Sequence, residues 1–284
     1  MAMNILGIVG SPRKGGNSEI MVKEISRQIA VPHQLNLLRL PDFNLHYCTG
    51  CYRCLFKKKR CVLKDDFQVV LDAIASCDAL IVAVPAYFFA AHASLKTFVD
   101  RGLAFYGMAD NLWEKPAVGV GIAGIDGMEG GTLLDVERFL MSLRADTRMS
   151  RMLYGALPGE IFDREDVRKV AVDLAAALSA DLSALRSGTC PFCSGESFKI
   201  LSGDKARCLL CGVSGRLSIL DGKVDFTVDA GQHALLIDRD EALAHRDWLS
   251  GMVDRFKQEK PRLKKITEGY ADVGTWILPH TSLQ

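Results

Sequence analysis

From Asn4 to about Ser187, short apolar runs alternate with amphipathic stretches. The runs at 5–9, 34–40, 79–84, 117–122 and 152–157 predict five strands, the central ones continuously apolar as in a sheet covered on both faces. Between them apolar residues recur at helical spacing. Ile20, Ile25 and Ile29 do so within 18–30, and Phe67, Val70, Leu71 and Ile74 within 66–75. Further helices are predicted through Leu95, Phe98, Val99 and Leu103, through Leu133, Val136, Phe139 and Leu140, and over 164–185. Repeated βα units imply an α/β, doubly wound parallel sheet. The expected strand order is 2-1-3-4-5, with ligand at the carboxyl ends of the strands where the order switches.

After Leu185 the texture changes to Gly, Cys and short polar turns, followed by a charged helix predicted from Arg239 to about Glu268. A chain of 284 residues exceeds what one core usually fills. The expected parts are 1–187, 188–236 and 237–284. Tyr270, Trp276, Ile277 and Leu278 make the tail apolar enough to pack on a partner subunit.

Charge changes the picture only by exclusion. With 35 basic and 34 acidic residues, the net charge of +1 offers no excess for neutralising many phosphates, so no nucleic-acid partner is expected. No apolar run approaches the roughly 20 residues of a membrane helix, and residues 1–10 lack the basic flank and cleavage site of a leader. The expectation is a soluble, cytoplasmic protein with no membrane partner.

Nine cysteines refine it further. Eight fall into two tight sets, which reads as metal binding rather than disulfides. The ninth, Cys77, is expected to be a small buried apolar residue. Cys48, Cys51, Cys54 and Cys61 have the spacing C-x2-C-x2-C-x6-C, and such short gaps let successive sulfurs converge on one [4Fe-4S] cluster. A structural zinc or reduced thiols are the alternatives. The basic run Lys57 to Arg60 fills the last gap; it would favour a reduced cluster, although a solvated loop is the simpler reading. Cys190, Cys193, Cys208 and Cys211 form C-x2-C-x14-C-x2-C, one residue short of the usual zinc-ribbon spacing, with a hairpin expected over 197–207. Four thiolates favour structural zinc, with a mononuclear iron as the alternative.

The loop from Gly10 to Ser18 follows the first strand and opens the first helix, so an anion belongs there. It nearly fits the triphosphate loop G-x-x-x-x-G-K-[ST] up to Gly15. Gly16 then replaces the lysine and Asn17 the magnesium-binding hydroxyl, which favours a terminal monophosphate. His46 and His92 are assigned no role, and Asp65 and Asp66 are read as a helix N-cap rather than a catalytic pair.

The run Gly10-Ser-Pro-Arg-Lys-Gly-Gly-Asn-Ser18 resembles the flavin-phosphate signature of the NADPH-dependent FMN reductase superfamily. Val84 to Phe89 and the helix Leu95-Lys-Thr-Phe-Val-Asp-Arg101 resemble its second flavin loop and the helix behind it. The four cysteines at 48–61 resemble those of the iron-sulfur flavoprotein branch. The likeness covers about residues 3–186.

It implies a flavodoxin-like fold, an FMN-dependent oxidoreductase and a homodimer or homotetramer. Electrons would pass between FMN and the cluster, with NAD(P)H or a carrier such as ferredoxin as donor or acceptor. By the same resemblance Ser11, Arg13, Gly16, Asn17 and Ser18 hold the phosphate, Pro85, Ala86, Tyr87, Phe88 and Phe89 lie along the ring, and Ala123, Gly124, Gly130 and Gly131 border its edge. For Tyr87, Phe88 and Phe89 the bland alternative is aromatic core packing. The functional alternatives are an NAD(P)H-dependent FMN or quinone reductase without a redox cluster, and a non-enzymatic flavin-binding sensor. No side chain is expected to act as a nucleophile, because the flavin carries the chemistry.

Overall fold

A computed structural model describes residues 2–58, 60–179, 189–233, 236–275 and 277. Residues 1–243 form one compact unit and 244–284 a second. In the first, five parallel strands run in the order β2 (His33–Arg39), β1 (Met3–Val9), β3 (Ala79–Tyr87), β5 (Pro116–Ala123), β6 (Asp146–Tyr154). Counting only these five, this is the expected order 2-1-3-4-5. A two-residue strand, β4 (Ala90–Ala91), folds back antiparallel on the end of β3.

Side chains alternate across the sheet and divide its core in two. Leu6, Ile8, Leu80, Val82 and Val84 face α2 (Phe67–Ser76), α3 (Ser94–Val99) and α5 (Thr132–Ser142). Ile5, Val9, Ile81, Ala83, Val118 and Val120 face α1 (Asn17–Arg27) and α6 (Glu165–Ser179). Gly119 on β5 lets α5 approach closely, since a Cβ there would meet Val136 Cγ1 at 2.7 Å. A short helix, α4 (Ala109–Leu112), precedes β5. Cys77 is buried in the first core, as expected.

Two local expectations differ. The fifth parallel strand begins at Asp146 and ends at Tyr154, not at 152–157. It is the sheet edge, and its polar residues Asp146, Thr147, Arg148 and Ser150 hide it from a reading based on apolar runs. The helix through Leu103 ends at Val99 and tightens into a 3-10 turn over Gly102–Met108. The last helix of this domain is described to Ser179, so the rest of the expected span to 185 lies outside the described residues.

Beyond it, β7 (Phe198–Ser202) and β8 (Lys205–Cys208) form the expected hairpin. β9 (Ser214–Leu220) and β10 (Lys223–Val228), not expected, extend it to a four-stranded antiparallel sheet. α7 (Arg239–Glu268) has the expected bounds. Among the tail residues, Tyr270 and Ile277 are exposed, while Trp276 and Leu278 lie outside the described residues. No described helix is long and apolar enough to cross a membrane.

Candidate functional site

The loop after β1 is fixed by charge. Arg39, at the end of β2, donates to the carbonyls of Ser11 (3.1 Å) and Arg13 (2.7 Å) and to the Glu19 carboxylate. Glu19 also accepts from the Gly15 amide at 2.8 Å, as an N3 carboxylate reaches back over a helix start. Hydrogen bonds from Lys23, Gly15 and Arg39 hold its carboxyl at about 2, against an ordinary 4.5. The stabilisation from Glu19 is therefore complete above about pH 4.5 and is lost as pH falls toward 2. With solvent screening discounted, Glu19→Ala should cost about 1–2 kcal/mol near neutral pH. Urea unfolding of both proteins checks this, and their difference should vanish as the pH approaches 2.

Four loops at the carboxyl ends of the strands enclose a cleft of ≈ 240 Å³. Ser11, Arg13, Gly16, Asn17 and Ser18 come from the loop after β1, and Pro85, Ala86 and Tyr87 from the end of β3. Ile122 and Gly124 come from β5 and its loop, and Gly155, Ala156 and Pro158 follow β6. The Ser11 and Ser18 side chains are buried at the N-terminal end of α1. Asn17 is differently engaged: its Nδ2 donates to the Gly155 carbonyl (3.0 Å) and its Oδ1 accepts from the Gly159 amide (2.7 Å). It ties the first loop to the fourth. Gly155 and Ala156 fall inside the strand expected over 152–157, and Pro158 directly follows it, so none of the three stood out as a cleft residue.

Phe88 and Phe89 stand outside this lining. They form the two-residue turn between β3 and β4, both with left-handed backbone (φ 49° and 65°). This suits a type I′ hairpin but strains bulky side chains. Phe88 is 99% exposed and Phe89 58%, so the core-packing alternative fails for both. Tyr87 is partly exposed and meets His92 edge-on at 5.2 Å. Ala123 is buried at the end of β5. Gly130 and Gly131 pack on the aromatic turn instead of lining the cleft: the Gly131 amide donates to the Phe89 carbonyl (2.8 Å), and a Cβ on Gly130 would lie 2.2 Å from that oxygen. Gly130 also has φ 52°. Gly130→Ala should cost at least about 1–3 kcal/mol and displace the 124–131 loop, read as a lower melting temperature and faster proteolysis there.

Cys48, Cys51, Cys54 and Cys61 line one separate pocket of ≈ 190 Å³ with Leu103 and Arg101. Burial, followed by the neighbouring Cys61 charge, pushes the Cys54 thiol upward; the Arg53 amide and Thr49 draw exposed Cys51 downward. Arg60 is exposed, and the side chains of Lys57 to Lys59 lie outside the described residues. The buried cation of the pocket is Arg101 instead. Its side chain is 1% exposed and bonded through both terminal nitrogens to Asp65, whose side chain is 0% exposed. Asp65 also accepts from the amides of His46 (2.8 Å) and Phe67 (3.3 Å). The N-cap expectation holds in position and gains a second part: Asp66 is the cap residue without a side-chain bond of its own, while the Asp65 carboxylate takes the first helical amide and also pairs with Arg101. His46 and His92 both lie outside the cleft lining.

The second cysteine set is more compact. The sulfurs of Cys190, Cys193, Cys208 and Cys211 all lie within 4.8 Å of one another, and no other group of three metal-binding side chains among the described residues does so. Cys190 and Cys211 are 3.6 Å apart, Cys193 and Cys208 3.5 Å. Arg138 on α5 donates to the Leu209 carbonyl (2.9 Å), between the second pair of ligands.

An iron-sulfur flavoprotein of Archaeoglobus fulgidus is 30% identical over 170 residues, 60% of this chain and 76% of that one. Another, of Methanocaldococcus jannaschii, is 34% identical over 100 residues, 35% of this chain and 51% of the relative. Among solved structures, a flavone reductase superposes over 98% of this chain and 100% of its own with a TM-score of 0.71 at 21% identity, a likeness of fold that includes the C-terminal module. Residues 3–145 fit the NADPH-dependent FMN reductase model, and the chain belongs to that family as an FMN-dependent oxidoreductase.

Proposed function

We propose that the chain passes electrons between FMN, held in the cleft at the strand ends, and a [4Fe-4S] cluster held by Cys48, Cys51, Cys54 and Cys61. The carrying observation is that these four cysteines line a single pocket. Their sulfurs do not meet the 4.8 Å spacing of the ribbon set. A lone metal with bonds of about 2.3 Å needs sulfurs roughly 4 Å apart, whereas a cubane gives each thiolate its own iron and suits a wider set.

Buried hydroxyls at a helix N-terminus, with Arg13 beside them, fit a phosphate monoester. Ser11, Arg13, Gly16 and Ser18 take the phosphate, while Asn17 fixes the fourth loop against the first. Pro85, Ala86 and Tyr87 line the ring, with Gly124 at its edge. When bound, FMN supplies both one- and two-electron chemistry. The loops orient it and exclude water. The segment carrying Pro85 to Tyr87 continues through α3 to Arg101, so one stretch of chain borders both centres. NAD(P)H or a ferredoxin-like carrier serves as donor or acceptor, in a homodimer or homotetramer. The ribbon cysteines hold a structural zinc, for which their spacing is suited.

Anaerobic purification followed by flavin, iron, sulfide and zinc analysis tests this reading. One FMN, about four iron and four sulfide, and one zinc per chain are expected. Absence of flavin after reconstitution would sink it. The likeness to a flavone reductase favours a second reading, direct reduction of a planar aromatic substrate at the flavin. Full turnover of such a substrate by iron-free protein would select it.

A further inference from the structure

The pocket of the four cysteines holds a cation that their spacing does not announce. Arg101 lines it, while Asp65 lies outside the lining. The buried ion pair is therefore polarised, with its positive end toward the thiols. Four features fix that orientation. Both terminal nitrogens of Arg101 are bonded to Asp65, and the guanidinium lies 4.0 Å over the Phe67 ring. Two backbone amides hold Asp65 from behind, and Arg101 also reaches the His46 carbonyl at 3.4 Å, two residues before the first cysteine.

One polar atom is left over. Arg101 Nε is buried with no hydrogen-bond partner, an expensive condition for a charged donor unless a negative group occupies the space beside it. Cys61 is the thiol beside the Arg101 guanidinium, near enough to act on it by hydrogen bonding as well as by charge. The other charged residue of the lining, Asp100, is partly exposed and bonded to Lys96.

We infer that Arg101, oriented by Asp65, is a positioning residue that stabilises negative charge on the thiolate-bound centre and so raises its reduction potential. This rests on the cluster reading above. Reduction adds one electron, from reduced flavin or from dithionite in a titration, and neither breaks a bond nor adds a proton. The pocket becomes one charge unit more negative, and a fixed, dehydrated cation facing it favours that state.

The test is a potentiometric titration of the cluster, followed by its electron paramagnetic resonance, in full-length protein reconstituted with ferrous iron and sulfide. Arg101→Lys keeps the charge and should leave the midpoint nearly unchanged. Arg101→Gln alone strands the Asp65 carboxylate, so the paired variant Asp65→Asn/Arg101→Gln is measured. At the wild-type midpoint its reduced-to-oxidised ratio should fall at least tenfold, about 59 mV for a one-electron couple. Asp65→Asn alone, which removes the anion behind the cation, should raise the midpoint. Unchanged midpoints in both Asp65→Asn and the paired variant, at full iron and sulfide content, overturn the role of Arg101 and leave the cluster intact. A wild-type chain that takes up no iron and sulfide overturns the cluster reading and this inference with it.

Discussion

Replacing Cys208 by serine should unfold the four-stranded C-terminal sheet while the five-stranded sheet stays folded. Among the described residues, the apolar core of the small sheet buries only Cys190, Ala206, Cys208, Val213 and Phe226, and two of these five are thiols. The Phe198 and Phe226 rings pack tilted with centroids 4.6 Å apart, but so little apolar area does not balance the entropy of ordering some forty residues. On the zinc reading proposed above, metal binding supplies the missing stabilisation, about 10–16 kcal/mol in comparable thiolate sites. The Cys208 sulfur lies 3.5 Å from that of Cys193, close enough for one tetrahedral metal to hold both. Hydrogen exchange reads the outcome directly. Protection over 198–228 should collapse, while the strands that bury Ile5, Leu80 and Val118 keep theirs. Undiminished protection over 198–228 would mean that the module stands without its metal.

The second large effect is expected at Asp65. Asp65→Ala leaves the Arg101 charge buried without its counter-ion, a condition that costs about 3–5 kcal/mol. Burial by itself would raise the Asp65 carboxyl's pKa, but hydrogen bonds from Arg101, His46 and Phe67 outweigh it and hold the group below its ordinary range. A depressed carboxyl stabilises the fold above its unfolded pKa of about 3.9. That contribution disappears as the pH falls through the lower folded value. Asp65→Ala should therefore lose most stability near neutral pH and differ least from wild type in strong acid, as chemical denaturation across pH reads out. Equal midpoints at pH 7 would show that the pair contributes nothing.

These two sites also mark how far the sequence was readable. The cysteine knuckles were visible because metal binding imposes short, regular gaps on thiols. The phosphate loop was visible because a strand, a glycine turn and a helix start must be contiguous. Asp65 and Arg101 were not visible as a pair: their partnership spans 36 residues, and buried ion pairs leave no spacing rule. The fourth loop of the cleft was lost for another reason. On the polar edge strand β6 the apolar period is weak, so an expected strand over 152–157 takes in Gly155 and Ala156, and Pro158 just beyond it carries no signal of its own. Asn17 was placed at the phosphate by type and position, yet its carboxamide is spent on Gly155 and Gly159. Phe88 and Phe89 were located at a functional loop, but their left-handed turn and exposure follow from hairpin closure with β4, which two alanines do not advertise.

The pocket lined by the first cysteine set has a consequence for synthesis. All of its lining residues lie between Cys48 and Leu103, whereas the cleft needs Pro158 and the ribbon needs Cys211. At roughly 5–20 residues per second, these sets leave the ribosome several seconds apart. The chain thus presents its sites in a fixed order, the first thiol set, then the cleft, then the ribbon thiols. On the cluster reading proposed above, iron delivery would have a window before the cleft residues are all available.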